Sequence, residues 1–558
     1  MKLPKKLVSG TAFTSIGTLV SRILGLLREM MCANLWGMSS GIMDAFVLAL
    51  RIPFFFRRLF SEGVLGISYI PVLSYEIAKA QKETIHPAEE DRKNQEADYT
   101  KIWKIVSTVF TFLVLILSGL VLLAEGVCLA IMFFRGEVPA TQDLFLKLLM
   151  ISLPSALLIC LIAQLASTLQ AFHRFLIPTF PPIFINAVIL IQLCTITIHV
   201  TDPYTQAIIV TVGMTTSGLF PILFLWFSLW RGNGLRFHFD YSGTKYILRR
   251  ILHGMLPMML GLMIIPLNAM ISSLIAWMFS APNESTCYIW WLPGHLEYPL
   301  CQGAVSALAL GERIYQFPLG LLGIPVAITI FPMLSRVAAT GNITELSQLL
   351  TRGLCMTLFW AIPGSVGLMF IVTPLVNILF QHGEFSHEDS LRVGHMAIIF
   401  SSACWAFCLL PVLIRGFYIL GDRQTPMRIG AYIAGMNILL NLLLIWFFAE
   451  SGLAISVTIL AIIHVFWLAF FLHYRLLRLS LPLIALRTFR CITAVLVMTG
   501  VCFLPFMQNW LASISTDGEH FYRLVSLLLY IVTAGSIYLF SYWIIKGFTF
   551  HLEKKIGY

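Results

Sequence analysis

Charged residues are scarce in this chain of 558 residues: only 11% are Asp, Glu, Lys or Arg, whereas 58% are hydrophobic. A soluble domain carries about 25% charged residues, so the composition excludes an ordinary soluble protein. The long apolar runs instead predict a polytopic membrane protein, because one membrane span needs about 20 apolar residues. The net charge of +10 is therefore interpreted as membrane topology, and no nucleic-acid partner is expected.

Clusters of catalytic or metal-binding residues are lacking as well. The histidines are scattered without the spacing of metal ligands, so no metal site, catalytic residue or cofactor is predicted. Acidic residues are scarce outside the polar segment 79–100, whereas a membrane enzyme acting on a polyprenyl phosphate needs a catalytic carboxylate or a metal at a membrane face. These absences favour a transporter over an enzyme.

The apolar runs predict fourteen spans and thus an all-α polytopic fold. The spans are 8–36, 41–78, 103–134, 143–173, 177–200, 205–230, 246–280, 304–335, 353–381, 390–420, 427–448, 453–474, 484–508 and 523–545. The N-terminus resembles a signal peptide but has no clean cleavage site, so we interpret it as an uncleaved first span. With this end inside, 26 of the 37 Lys and Arg fall in cytoplasmic segments, four in outward ones and seven within spans. Both termini are therefore predicted to be cytoplasmic.

The chain repeats itself at an offset near 250 residues. FFRGE (133–137) recurs as FQHGE (380–384), and GVLGI (63–67) recurs as GLLGI (320–324). Because six spans lie within the offset, the two copies share one orientation and are parallel repeats. The sequence thus predicts two six-helix lobes across a central cavity, followed by two additional helices. The predicted domains are 1–231, 232–482 and 483–558.

Seven arginines interrupt the apolar segments, and five of them lie in the first two predicted spans. They are Arg22, Arg28, Arg51, Arg57, Arg58, Arg313 and Arg415. One arginine at the centre of a membrane helix costs roughly 2.5–3.5 kcal/mol on insertion scales. Because five such arginines cannot all face lipid, we expect them to line a water-filled cavity. Arginine suits phosphate geometry, so the cavity is predicted to bind an anion, most naturally a phosphate.

Acidic residues accompany the arginines of span 2. Asp44, Arg51, Arg58 and Glu62 are seven, seven and four positions apart, which predicts that they share one helix face. In an alternative interpretation, Arg57, Arg58 and Glu62 form an ion-paired cap at the cytoplasmic end of the span.

A second charged site is predicted in span 8, where Glu312 and Arg313 are adjacent. Arg313 would supply the central cation of the second lobe. We expect Asp44, Glu62 and Glu312 to act as counter-ions that exchange partners between transport states. Arg415 lies near the end of span 10, where an interfacial role and a cavity role are equally compatible with its position.

Asparagines interrupt spans 7 and 11. Asn437 and Asn441 are one helical turn apart, and Asn268 lies in span 7. Their side-chain oxygens could bind a cation, or the side chains could form hydrogen bonds between helices. Hydrogen bonding between helices is the commoner role of asparagine in membrane spans.

Two of the 11 cysteines stand apart from the apolar helices. Cys287 and Cys301 flank the long outward loop 281–303. If that side of the membrane is oxidising, they would form a disulfide; otherwise they remain free thiols.

Five segments together resemble one transporter family. They are SRILGLLRE (21–29), DAFVLALRIPFFFRRLFSEG (44–63), ERIYQFPLGLLG (312–323), LFQHGEF (379–385) and RGFYILGDRQTP (415–426). They resemble the MurJ (MviN) lipid II flippases of the multidrug/oligosaccharidyl-lipid/polysaccharide (MOP) exporter superfamily, over nearly the whole chain. The resemblance implies fourteen helices in two lobes, with a hydrophobic groove from spans 13 and 14. It also implies export of a peptidoglycan precursor across the bacterial inner membrane.

The resemblance also implies roles for individual residues. The arginines of the family cavity fall on Arg22, Arg28, Arg57 and Arg313, and its acid falls on Asp44. Glu312 stands where many members have Asp. Some members use an Asn-x-x-x-Asp pair for sodium, whereas this chain has Asn437 and Asn441, which puts sodium coupling in doubt. Coupling to the membrane potential or to a monovalent cation is left open.

Alternative functions remain open on the sequence alone. Another polyprenyl-diphosphate oligosaccharide, or a drug, is an alternative substrate. A drug exporter, however, would be expected to have aromatic and acidic cavity residues rather than five arginines in its first two spans. A non-transporting scaffold that binds lipid II would need the same residues. We expect a monomer whose partners are lipid II, membrane lipids and, in the cell, proteins of peptidoglycan synthesis.

Overall fold

The computed structural model describes residues 5–59, 65–85, 97–134, 136, 139–174, 176–238, 244–282, 288–289, 296–320, 324–516 and 520–549. In this part of the chain nearly every residue is helical. The helices are α1 (Lys5–Trp36), α2 (Ile42–Leu59), α3 (Leu65–Ile85), α4 (Ala97–Phe134), α5 (Ala140–Ala171), α6 (Phe180–His199), α7 (Pro203–Thr216), α8 (Leu219–Asn233), α9 (Lys245–Met278), α10 (Ala304–Pro318), α11 (Ile324–Ala339), α12 (Ile343–Phe380), α13 (His387–Ser402), α14 (Cys404–Ile419), α15 (Gln424–Phe471), α16 (Leu481–Cys502), α17 (Pro505–Thr516) and α18 (His520–Phe548).

The apolar helices confirm an all-α polytopic membrane protein. Within the described residues, eight segments are long and apolar enough to cross a membrane, and α13 with α14, bent by 46°, forms a ninth. These nine segments correspond to the ten predicted spans 3 to 6 and 9 to 14. The numbers differ because Gln424–Arg475 covers both span 11 and span 12. Predicted spans 1 and 7 correspond to α1 and α9.

Several predicted spans are broken rather than continuous. Span 2 divides into α2 and α3, and span 8 into α10 and α11, whereas residues 60–64 and 321–323 lie outside the described residues. Pro325 is the second residue of α11, a position that suits proline because the first turn of a helix has unpaired N–H groups. Within α15, Ala449 has φ 47° and ψ −134°, so this segment is two helices joined at a bend.

Large apolar side chains cover the outside of the long helices. Along α4, Val106 and Leu113 are buried, whereas Leu115, Leu122 and Phe133 are mostly exposed. A continuous exposed apolar surface of this kind is disfavoured in water but suits contact with lipid.

The described helices pack into two compact units. Unit 1 comprises Met1–Trp36 and Ser40–Met270, and unit 2 comprises Gly37–Ser39 and Ile271–Tyr558. Unit 1 ends beyond residue 231, the predicted end of the first domain, because the first half of α9 packs with α3, α4, α5 and α8. Ile247 and Ile251 belong to that core, and the hydroxyls of Thr108 and Thr244 are 3.0 Å apart.

Unit 2 contains two apolar cores that share α12. One core joins α12 with α11, α14 and α15, and the other joins α12 with α16, α17 and α18. In the second core, the Tyr538 hydroxyl donates to the Phe359 carbonyl oxygen at 2.8 Å. The two C-terminal helices α16 and α18 are therefore attached to unit 2 through α12.

An arginine joins three segments of unit 2 that are predicted to face outward. Arg392 of α13 donates from Nε and Nη2 to the two carboxylate oxygens of Glu450, at 3.0 and 2.6 Å. Its Nη1 donates to the Gln302 carbonyl oxygen at 2.9 Å. Glu450 directly follows the bend at Ala449. The bidentate pair therefore fixes the α15 bend and the end of the 281–303 loop against α13.

We expect loss of this pair to destabilise unit 2. Glu450→Ala leaves a half-buried guanidinium without its carboxylate, at a cost of about 1.5–3 kcal/mol. The measurement is the apparent melting temperature of the purified protein, with Glu388→Ala as a control that removes an exposed acid. Arg392→Ala should lower it similarly, and the double variant should be no less stable than the worse single variant. Additive losses would contradict a coupled pair.

Candidate functional site

Arg28 of α1 is half-buried and is held by two neighbouring side chains. Its Nη1 donates to Asn186 Oδ1 at 3.2 Å, and its Nη2 donates to Glu29 Oε1 at 3.2 Å. Asn186, in α6, also donates from Nδ2 to the Ser21 carbonyl oxygen at 3.2 Å. Asn186 thus connects α6 to two turns of α1 and orients the guanidinium. The sequence analysis did not assign Asn186 a role in the site.

Asp44 and Arg51 of α2 lie on the predicted common face but in different surroundings. Asp44 is 2% exposed and lies in the first turn of α2, where the helix dipole favours a negative charge. Arg51 is half-buried, and its Nη1 donates to the Ala269 carbonyl oxygen of α9 at 2.9 Å. This bond joins α2 to α9 within unit 1.

The remaining charges of predicted span 2 are only partly placed by the structure. Arg57 and Arg58 belong to α2, but their side chains lie outside the described residues. Glu62 lies beyond the end of α2 at Leu59 and is also outside them. Whether these three residues line the cavity or cap the helix stays a prediction.

Two of the predicted phosphate-binding arginines have exposed side chains. Arg22 lies in the middle of α1 and Arg313 in the middle of α10. Among the described residues, no hydrogen-bond or ion-pair partner is found for Arg22. Arg313 Nη1 makes a long hydrogen bond of 3.4 Å to Gln316 Oε1, and the adjacent Glu312 is half-buried. The guanidinium groups of Arg22 and Arg313 are therefore accessible.

The predicted asparagine pair forms a fully buried polar cluster in unit 2. Asn437 and Asn441 donate from Nδ2 to Ser272 Oγ at 3.1 and 2.9 Å. The hydroxyl of Ser456 contacts the Oδ1 atoms of both asparagines and the Leu453 carbonyl oxygen. Four neutral side chains thus satisfy one another.

The third predicted asparagine precedes Ser272 by one helical turn of α9. Asn268 is half-buried in the part of α9 that belongs to unit 1.

This cluster has the oxygens that a monovalent cation would need but lacks a negative charge. Oxygens of Asn437, Asn441, Ser456 and Leu453 converge, as a cation requires. None of them carries a formal negative charge, however, and an uncompensated cation in a buried site is costly. Across the described residues, no group of three or more His, Cys, Asp or Glu is arranged to hold a metal ion.

One arginine of α16 is almost fully buried. Arg490 lies within α16 and is only 1% exposed. Its Nη2 donates to the Thr549 carbonyl oxygen at 2.8 Å, at the C-terminal end of α18. A carbonyl at a helix C-terminus is a favourable partner for a cation. Arg490 therefore joins α16 to α18.

The predicted cysteine pair is only half described. Cys301 is exposed and its thiol is free. Cys287 lies outside the described residues, so a disulfide formed under oxidising conditions stays a prediction.

Comparison with known proteins identifies the family. Residues 33–532 match the family described as lipid II flippase MurJ. A probable lipid II flippase MurJ of Vibrio cholerae is 28% identical over 518 residues, which cover 91% of each chain. The lipid II flippase MurJ of Burkholderia cenocepacia is 26% identical over 472 residues, covering 82% of this chain and 81% of the relative.

Solved structures show the same fold. A lipid II flippase MurJ in an inward closed conformation matches with a TM-score of 0.69 and 22% identity, over 97% of this chain and 99% of that one. A multidrug resistance MATE transporter of the MOP superfamily in an inward-facing conformation matches with a TM-score of 0.59 and 12% identity, over 83% and 97%. Because the family match covers most of its length, the chain belongs to the MurJ lipid II flippase family.

Proposed function

We propose that this protein flips lipid II, an undecaprenyl-diphosphate-linked disaccharide-peptide, from the cytoplasmic to the outer leaflet of the bacterial inner membrane. Transport would proceed by alternating access through a cationic central cavity. The observation that carries the proposal is the pair of exposed guanidinium groups, Arg22 and Arg313, in the middle of membrane helices. Charges at such positions are retained where they contact water or an anionic substrate. Family membership supplies the substrate class.

In this proposal the diphosphate is bound by Arg22, Arg28, Arg57 and Arg313. A guanidinium has five N–H donors. Arg28 uses two of them for Asn186 and Glu29, which leaves three for phosphate oxygens while the side chain stays oriented. Charge-assisted bonds of this kind are the strong ones.

The acids and the other arginines of these helices have a supporting role. Asp44, Glu62 and Glu312 would balance the positive charge of the empty cavity, and Arg51 and Arg58 would be their partners in gating.

The polyprenyl tail is proposed to stay in lipid against α16 and α18. Both helices expose large apolar side chains, among them Phe489 and Leu496 of α16 and Val532 and Trp543 of α18. A tail lying there never has to leave an apolar environment, so only the headgroup requires a polar path. A drug exporter has no need for this separation, nor for clustered arginines.

Replacement of the exposed arginines should abolish most transport. For Arg22→Ala and Arg313→Ala, losing charge-assisted bonds of about 1.5–3 kcal/mol each predicts a decrease of roughly ten- to a hundredfold in transport at limiting substrate. The measurement is lipid II exposure at the outer face of cells that depend on this protein, at matched expression. Arg231→Ala, at the end of α8, is the control. Normal exposure in both variants would contradict the arginine site, and lipid II binding without exposure in the wild type would indicate a scaffold.

Replacement of Asn186 should weaken substrate binding through Arg28. Asn186→Leu removes the acceptor that orients the guanidinium, and a loss of about 1 kcal/mol predicts roughly fivefold weaker lipid II binding. Asn437→Leu is the control, because it removes a buried amide from the equivalent helix of unit 2, where the carboxamide oxygen accepts from the Ser456 hydroxyl. Binding of lipid II to both purified variants is measured beside their melting temperatures. Equal binding at equal stability would show that Asn186 is structural only.

We propose the membrane potential as the energy source that resets the empty cavity. An inward-negative potential supplies about 2.3 kcal/mol per charge per 100 mV. The neutral Asn437–Asn441 cluster supports this choice over a cation, because a buried cation needs a compensating charge.

The energy source is tested by ion replacement. Collapse of the potential should slow flipping, whereas replacing Na⁺ by K⁺ should leave it unchanged. The isosteric Asn441→Asp variant adds the missing charge and should make flipping respond to Na⁺. Flipping that continues unchanged without a potential would contradict the proposal.

A further inference from the structure

Two histidines from distant parts of the sequence meet in unit 2. His382 lies in the turn between α12 and α13, and His520 is the first residue of α18. Their Nε2 atoms are 3.2 Å apart, whereas their ring centroids are 4.6 Å apart. Because the nitrogens are closer than the rings, the two Nε2 atoms form the facing edges. His382 is half-buried and His520 is exposed, so the pair is open to solvent.

We propose that His382 and His520 bind a divalent transition metal ion, Zn²⁺ in the first instance, which joins the α12–α13 turn to α18. Imidazole nitrogens bind Zn²⁺ at about 2.0–2.1 Å, and two of them on one tetrahedral ion lie about 3.3 Å apart. The observed separation of 3.2 Å matches this spacing, and the rings would tilt apart from their centroid distance of 4.6 Å to point both nitrogens at one ion. In the absence of metal, the same spacing allows one neutral ring to donate to the other.

The turn that carries His382 is rigid. The rings of Phe380 and Phe385 on either side of it are buried and 6.0 Å apart. Ser386 and Asp389 then form a capping box at the start of α13, with both hydrogen bonds at 3.1 Å. The ligand nitrogen is thus presented by an ordered segment, which lowers the entropic cost of binding.

The helix that carries His520 is equally well anchored. Leu527 and Tyr530 of α18 are buried in one core with Ile378 of α12. The two histidines therefore belong to elements that are already packed together, and a metal ion would lock an existing contact. Zinc bound at this place would restrain the outer end of the hairpin that α16 and α18 form.

Charge around the pair favours weak and reversible binding. Burial, with contributions from His520 and Arg523, lowers the pKa of His382, and the nearby Arg523 cation opposes a bound metal ion. No third His, Cys, Asp or Glu of the described residues completes the set, so water would fill the remaining positions. Two protein ligands with open positions are typical of an exchangeable site rather than a structural zinc site.

The regulatory consequence rests on the proposed function. If α16 and α18 hold the polyprenyl tail, a metal ion that restrains α18 should slow flipping. The histidines lie in segments that the sequence predicts to face outward, so the ion would act from outside the cytoplasm.

The binding site is tested on the full chain, purified without a histidine tag and freed of metal with chelator. Zn²⁺ alone is titrated in competition with a chromogenic chelator at pH 7.5. The wild type should bind one equivalent that His382→Ala and His520→Gln weaken at least about tenfold. His387→Ala, on the same turn, is the control and should bind as the wild type does. Equal binding in all four proteins would overturn the site.

A second measurement separates the site from its consequence. Lipid II exposure is compared with and without added Zn²⁺ in wild type and in His382→Ala. Slower exposure in the wild type alone supports regulation through this pair. Intact Zn²⁺ binding with exposure unaffected by the ion would overturn the regulatory step and leave the site. Absence of exposure without any Zn²⁺ would instead contradict the proposed function.

Discussion

The cost of placing a guanidinium in an apolar environment determines much of this structure. A charged side chain in a membrane helix must find a polar partner or reach water. Arg28 donates to a carboxamide and to a carboxylate. Arg51 and Arg490 each donate to a backbone carbonyl oxygen. The side chains of Arg22 and Arg313 are exposed, and Arg313 also makes a long hydrogen bond to Gln316. The arginines thus divide into some that join helices and some that are available to a ligand.

The internal repeat offers a comparison of the same polar contact with and without a charge. In unit 1, Asn186 of α6 donates to Ser21 of α1, and in unit 2, Asn437 donates to Ser272 of α9. Both partners are displaced by the same 251 positions (272 less 21 and 437 less 186), which agrees with the repeat seen in the sequence. The carboxamide oxygen then accepts from Arg28 in one unit and from a Ser456 hydroxyl in the other. The same contact between helices is therefore bonded to an arginine in unit 1 and belongs to a network of neutral side chains in unit 2.

The sequence predicts the existence of helices better than their breaks. Apolar runs mark spans because hydrocarbon requires them, and contacts agree with the predicted sides: Arg392 bonds Glu450, and Arg174 bonds the Gly232 carbonyl. Both partners of each contact were predicted to face the same side. The bend at Ala449 could not be predicted, because hydropathy reports composition and not backbone dihedrals. Side-chain partners more than a hundred residues apart were also missed, since spacing along the chain does not encode them.

The surroundings of the candidate arginines were predictable only in part, for the same reason. A charge inside an apolar run is visible in sequence, so Arg22, Arg28 and Arg313 were identified. Which of them is held and which is accessible depends on neighbours such as Asn186, which only the fold reveals. The distinction has a mechanistic consequence. In the proposed function, an oriented Arg28 would lose little side-chain entropy when a phosphate binds, whereas the exposed side chains of Arg22 and Arg313 would lose more. Under that proposal, arginines of both kinds would let an anion bind firmly and still be released, as transport requires.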